Sequence, residues 1–283
     1  MIPALPVDEL ARRYDNSAAV PDWRERLLPR WQRESERLRA TYGRALAVAY
    51  ADHHKARFDV LTPRGEPPPR GWPCCVFMHG GYWQWTHRHD WSFVAQAVVP
   101  AGCACVIVGY PQAPEVAVAD ITDAIEQAIV VLWREAVALA LDRDRIVLCG
   151  HSAGGHLVAW CQTTAWPGFG LPADPFRAGV GLSGVYDLEP LVPIPLNTGL
   201  GLTSERALAA SPAYRTRTTA APFSAIVGGG ELAEFLRQNE LLAARWSGVT
   251  ARRYEQADHF SLVDELARPE SPLAAGLQRL LLG

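Results

Sequence analysis

Ser152 stands in Gly150-His151-Ser152-Ala153-Gly154, directly after the apolar run Arg145-Ile146-Val147-Leu148-Cys149 and before a helix-like stretch from Gly155 to Thr164. A sharp strand-to-helix turn, with small residues two before and two after a serine, lifts the hydroxyl above a sheet and makes it a candidate nucleophile. The five-residue pattern alone is weak, because Gly and Ser are common turn residues, and the flanking elements give it its weight. Serine needs a base to take its proton and a group to orient that base. Where such an elbow crowns a sheet, the order along the chain is Ser, acid, His. Of the eight histidines only His156 and His259 follow Ser152. His156 lies one helical turn past the serine, which carries its side chain away from the hydroxyl and suits packing. His259, in Gln256-Ala257-Asp258-His259-Phe260 after the last strand-like run, stands where the base is expected.

Two carboxylates compete for the orienting role. Glu231 follows the strand-like Phe223 to Val227 and the flexible Gly228-Gly229-Gly230, whereas Asp187 follows the preceding strand in Ser183-Gly184-Val185-Tyr186-Asp187. Position ranks Glu231 above Asp187 without deciding between them, and Glu231 also reads as an acidic residue in a helix's first turn. An electrophilic component is offered by His79-Gly80-Gly81-Tyr82-Trp83, where glycines let backbone N–H groups face a substrate oxygen. The amides of Gly81, Tyr82 and Ala153 would form an oxyanion hole. Tyr82, Trp83, Trp85 and Trp91 crowd the same loop. Tyr82, Trp83 and Trp85, with Phe260 beside the base, are candidate substrate-binding residues for a planar ligand, while Trp91 fits better as filler beneath the N-terminal helices. His87, His89 and Asp90 match no helical metal-ligand spacing, and the mechanism calls for neither metal nor cofactor.

The elements that must position these residues alternate. Strand-like runs at 57–61, 73–78, 104–108, 145–149, 178–182, 223–227 and 251–256 are separated by helical patterns at 90–99, 116–141 and 231–246. This predicts an α/β fold, a mostly parallel central sheet with helices on both faces, in a single domain spanning 1–283. Residues 1–45 read as helices, broken around Pro21 and Pro29, that wrap over the body. Residues 187–221 are irregular and proline-rich, either a lid or binding-loop insertion or a plain surface connection.

A net charge of −3, with Glu25, Glu34 and Glu36 interleaved among the arginines of 24–39, argues for a solvated helix face and against nucleic-acid binding. There is no run of about 18 apolar residues to span a membrane, and Asp8, Glu9 and Asp15 do not suit a secretory signal. The six cysteines lie in apolar strands or on a helix without C-x-x-C spacing, as buried free thiols in a reducing compartment would. The expectation is a cytoplasmic protein acting on a small, aromatic substrate, with neither nucleic-acid nor membrane partners; a homodimer is compatible with the sequence.

The strings His79-Gly80-Gly81-Tyr82-Trp83-Gln84, Cys149-Gly150-His151-Ser152-Ala153-Gly154, Ser183-Gly184-Val185-Tyr186-Asp187-Leu188-Glu189-Pro190-Leu191 and Asp258-His259-Phe260 resemble the kynurenine formamidases (arylformamidases) of the α/β-hydrolase fold, relatives of the hormone-sensitive-lipase-like esterases. The resemblance covers about residues 72 to 265. It implies the α/β-hydrolase fold, a nucleophile at Ser152, a base at His259, and cofactor-free hydrolysis of N-formyl-kynurenine to formate and kynurenine. The family's acid is an aspartate in a G-x-x-D context that aligns with Gly228-Gly229-Gly230-Glu231, so here glutamate replaces aspartate. A carboxylesterase acting on short-chain or aryl esters shares all these residues. A non-catalytic small-molecule binding protein on the same fold is the third reading, disfavoured because every catalytic residue type is present.

Overall fold

The computed structural model describes residues 5–283. The chain forms one eight-stranded sheet in the order β1-β2-β4-β3-β5-β6-β7-β8. Its strands are β1 (Gly43–Ala49), β2 (Arg57–Leu61), β3 (Trp72–Met78), β4 (Ala104–Val108), β5 (Leu141–His151), β6 (Ala178–Leu182), β7 (Phe223–Gly228) and β8 (Val249–Tyr254). β2 runs antiparallel to both β1 and β4, and from β4 to β8 the pairing is parallel. The central strands are apolar on both sides because both faces are covered, as parallel sheets require.

Alternation along the strands sorts side chains into two cores. Cys74, Val76 and Met78 of β3 and Leu148 of β5 join the core under α4 (Val118–Glu135), α5 (Ala153–Cys161) and α8 (Ala233–Arg245). Cys75, Phe77, Val147 and Cys149 face the other way, into the core under α3 (Leu28–Tyr42), α9 (Ser261–Ala267) and α10 (Pro272–Leu282). All six cysteines are buried and unbridged, as their place in the strands and on α5 anticipates. No helix among the described residues is long and apolar enough to cross a membrane.

The N-terminal segment is helical as expected, with α1 (Val7–Arg12), α2 (Asn16–Ala19), a π turn (Trp23–Leu27) and α3. Trp23, Leu27, Trp31 and Leu38 fall on one face and are buried, each such burial being worth roughly 1.5–3 kcal/mol. Arginines occupy the exposed face, where Arg26 pairs with Asp22 and Arg37 with Glu34, as the mixed charge pattern suggests. Arg30 and Trp31 both bind the Asp264 carboxylate, at 2.5 and 2.7 Å, fastening α3 to α9.

Several boundaries differ from the sequence expectation. Helix ends at Tyr42, and β1 was not anticipated: it is an exposed, bulged edge strand without an apolar alternation. Residues 88–97 form 3₁₀ turns instead of a regular helix. α4 stops at Glu135, with Leu141 already opening β5, and the last strand lies two residues earlier than read. Residues 187–221 hold the short helices α6 (Asn197–Leu200) and α7 (Ser204–Ala209) between 3₁₀ turns.

Candidate active site

The turn between β5 and α5 explains its own glycines. Ser152 has φ 55° and ψ −116°, a conformation costly for a side-chain-bearing residue. A Cβ on Gly150 would collide with the Gly154 carbonyl, and one on Gly154 with the Met78 carbonyl, so the small residues two before and two after are steric requirements. The Ser152 amide donates to the Leu182 carbonyl at 2.8 Å, anchoring the strained turn to β6.

His259 lies between β8 and α9, and its Nδ1 donates to Glu231 Oε2 at 2.8 Å. Because Nδ1 carries that proton, Nε2 is left with the lone pair that a general base needs. The other Glu231 oxygen accepts from Ser183 Oγ at 2.5 Å and from the Gly228 amide at 2.7 Å. Glu231 is therefore held by three donors in a site where its side chain has no exposure. Asp187, the rival carboxylate, binds Arg237 at 3.5 Å and caps the Glu189 amide, with no contact to His259. The longer carboxylate is accommodated by folding back over Gly228, where a Cβ would press on its Oε1 at 3.1 Å.

The Gly80-Gly81 backbone lies against Ser152, since a Cβ on Gly80 would sit 3.3 Å from Ser152 Cβ. Gly81 has φ 113° and Tyr82 φ 49°, which turns the loop over the end of β3. Among the described residues, the amides of Gly81, Tyr82 and Ala153 donate to no protein acceptor. Amides left without a protein acceptor beside a serine are among the things an oxyanion hole requires.

Ser152, His259, Gly81 and Tyr82 open on a cavity of about 540 Å³. Its walls include Trp85 and Phe260, as expected, and also Trp91, Trp23, Trp31, Ile194 and Leu196. Trp85 is 42% exposed at the rim, and Phe260 stacks on Trp23 with ring centroids 4.7 Å apart. Trp91 is chiefly filler, as read, packed between Trp31 and Phe77, although its edge reaches the cavity.

Trp83 is a correction. Its ring is fully buried behind the loop, edge-on to His156 at 5.0 Å, and is absent from the cavity wall. There its Nε1 donates to His156 Nδ1 at 3.3 Å. His156 in turn bonds the Ala210 carbonyl at 2.8 Å, so it is a packing residue as expected, and burial pushes its pKa down to about 4.

The N-terminal contribution was not read from the sequence. Tyr14 is buried over the site: its hydroxyl donates to Glu234 and accepts from Gln238, and its carbonyl accepts from the Tyr82 hydroxyl at 2.6 Å. The spacing of Trp23, Leu27 and Trp31, four residues apart, carried the signal for a buried helical face. The 187–221 segment supplies Ile194, Pro195, Leu196, Thr198 and Gly199 to the cavity wall.

Comparisons with known proteins agree with this architecture. A family model described as alpha/beta hydrolase fold matches residues 75–177. The chain is 27% identical to the kynurenine formamidase of Danio rerio over 241 residues, covering 82% of this chain and 80% of the relative. It is 26% identical to that of Salmo salar over 257 residues, covering 87% and 85% respectively. A crystal structure of a provisionally assigned thioesterase from Silicibacter sp. TM1040 superposes with a TM-score of 0.83 at 31% identity, covering 97% of this chain and 99% of that one. The chain belongs to the α/β-hydrolase fold family, and its similarity to kynurenine formamidases runs through most of its length.

Proposed function

We propose that this hydrolase uses Ser152, His259 and Glu231 to cleave the formamide bond of N-formyl-kynurenine or a similar aryl formamide. The observation that carries the reading is the 2.8 Å bond from His259 Nδ1 to the buried Glu231 carboxylate, in a site that shares its aromatic cavity with Ser152. Ser152 Oγ attacks the formyl carbon while His259 Nε2 takes its proton, and the oxyanion is held by the amides of Gly81, Tyr82 and Ala153. His259 passes the proton to the departing arylamine nitrogen as the C–N bond breaks. Water, deprotonated by the same imidazole, then attacks the formyl-serine ester and releases formate. Glu231 keeps the imidazole in the required tautomer and stabilises the imidazolium.

Tyr82, Trp85 and Phe260, with Trp23 from the N-terminal segment, would hold the aryl ring. A carboxylesterase is the second reading, favoured by the cavity of about 540 Å³, which has room for acyl groups larger than formyl. Turnover of formyl, acetyl and butyryl anilides by the purified protein separates the two. A steep fall from formyl to acetyl supports the formamidase, and comparable rates across the series sink it.

A further inference from the structure

We infer that His151, the residue before the nucleophile, is a positioning residue for the general base. The inference rests on the serine mechanism proposed above but not on the identity of the substrate. Alternation along β5 puts His151 on the same face as Val147 and Cys149, the face covered by α9 and α10. There its imidazole, 2% exposed, lies with its ring centroid 4.6 Å from that of His259 and 5.6 Å from that of Trp91.

His151 Nε2 is 2.8 Å from the backbone carbonyl oxygen of His259. A carbonyl only accepts, so Nε2 carries the proton and Nδ1 the lone pair. Nδ1 has no protein partner, and the Gly80 backbone closes over it, since a Cβ there would lie 2.9 Å away. The ring is thus wedged between the oxyanion loop, Trp91 and the base. Burial holds its pKa well below the ordinary value, so it stays neutral beside an imidazole that becomes charged during each cycle.

The bond matters because His259, though packed by the Phe235 ring at 4.5 Å, has few other polar restraints. Among the described residues, no other protein donor reaches its carbonyl, and its side chain is held at Nδ1 by Glu231. The neighbouring anchors grip Ala257 and Asp258, through the Gly230 amide and Ser261 Oγ. His151 therefore fixes the peptide of the base while Glu231 fixes its ring, in a cavity that His259 shares with Ser152. The variable position of the elbow acts through the base and not through the serine.

The test uses His151→Phe, which keeps a ring without the donor, His151→Gln, whose amide N–H reaches the place of Nε2, and His151→Asn, whose amide is too short. Read-outs are kcat and KM on 4-nitrophenyl acetate, the rate of Ser152 labelling by a fluorophosphonate, and thermal unfolding. His151→Phe should lower kcat and labelling by about 10- to 100-fold with KM within about twofold, and His151→Gln should recover to within about fivefold of wild type. His151→Asn should stay near the Phe variant.

Wild-type rates in His151→Phe overturn the proposal, as do equal losses in the Gln and Asn variants. If His151→Phe does not fold, the Gln and Asn pair carries the same comparison. Failure of the serine reading itself would show separately, as wild-type labelling that survives Ser152→Ala.

Discussion

Replacing Glu231 by glutamine should remove catalysis while leaving the fold intact. The carboxylate has three donors: Ser183 Oγ and the Gly228 amide at one oxygen, His259 Nδ1 at the other. A glutamine keeps the first two only by turning its amide oxygen to them, which aims its NH₂ group at His259. Two donors cannot bond to each other, so the imidazole must take the opposite tautomer, with its proton on Nε2, where it can no longer accept one from Ser152. The same inversion of tautomer in a serine triad costs ~10,000-fold in kcat, which corresponds to about 5.5 kcal/mol of barrier. The neutral amide is cheaper to bury than a carboxylate, so the melting temperature should hardly move. The assay is kcat on 4-nitrophenyl acetate beside fluorophosphonate labelling of Ser152, with Asp187→Asn as the comparison. If Glu231→Gln retains activity within about tenfold while Asp187→Asn loses ~1,000-fold or more, the assignment of the acid is wrong.

Ser183→Ala removes the 2.5 Å donor to Glu231, a charge-assisted bond worth about 1.5–3 kcal/mol, and should lower kcat about tenfold with KM unchanged; an unchanged kcat would show that Gly228 suffices. Trp23→Ala takes away the ring stacked on Phe260 and part of the cavity wall. It should destabilise by about 3–5 kcal/mol in urea titrations and raise KM for aryl substrates more than for acetate esters. A selective effect on neither would separate the N-terminal segment from binding. His79 and His156 are buried, and desolvation lowers the pKa of each from 6.5 to about 4. Between those values the unfolded chain binds more protons, so this stability is full above pH 6.5 and is lost as the pH falls toward 4, by about 3 kcal/mol per histidine. The urea midpoint should therefore drop between pH 7.5 and 5, and His156→Gln should flatten the dependence; a midpoint unchanged between these pH values would contradict the burial argument.

The tight turn at Ser152, the place of His259 and the glycine loop after β3 were legible because each rests on local chemistry: glycines that a collision with Gly154 or Met78 enforces, and a histidine placed after the last strand. Glu231 was legible only to a choice of two, because the loop after β7 returns to His259 through a contact spanning 28 residues of sequence. Trp83 was misread because its ring packs against His156 behind the loop while Tyr82 and Trp85 reach the cavity, a sorting of near neighbours that residue type does not announce. The role of the N-terminal helices was missed for a different reason. Their apolar face was visible in Trp23, Leu27 and Trp31, but its partner, Phe260, lies more than 200 residues away, and only the tertiary fold joins them. β1 escaped because an exposed, bulged edge strand has no buried face to leave a pattern.

The most direct test of the account is kcat/KM of the pure protein on N-formyl-kynurenine beside 4-nitrophenyl acetate, with Ser152→Ala as the blank. The account predicts a large preference for the formamide that disappears with the serine. Turnover of the activated ester alone would leave the Ser152, His259 and Glu231 site standing and contradict the formamide assignment, and formamide hydrolysis that survives Ser152→Ala would contradict the mechanism itself.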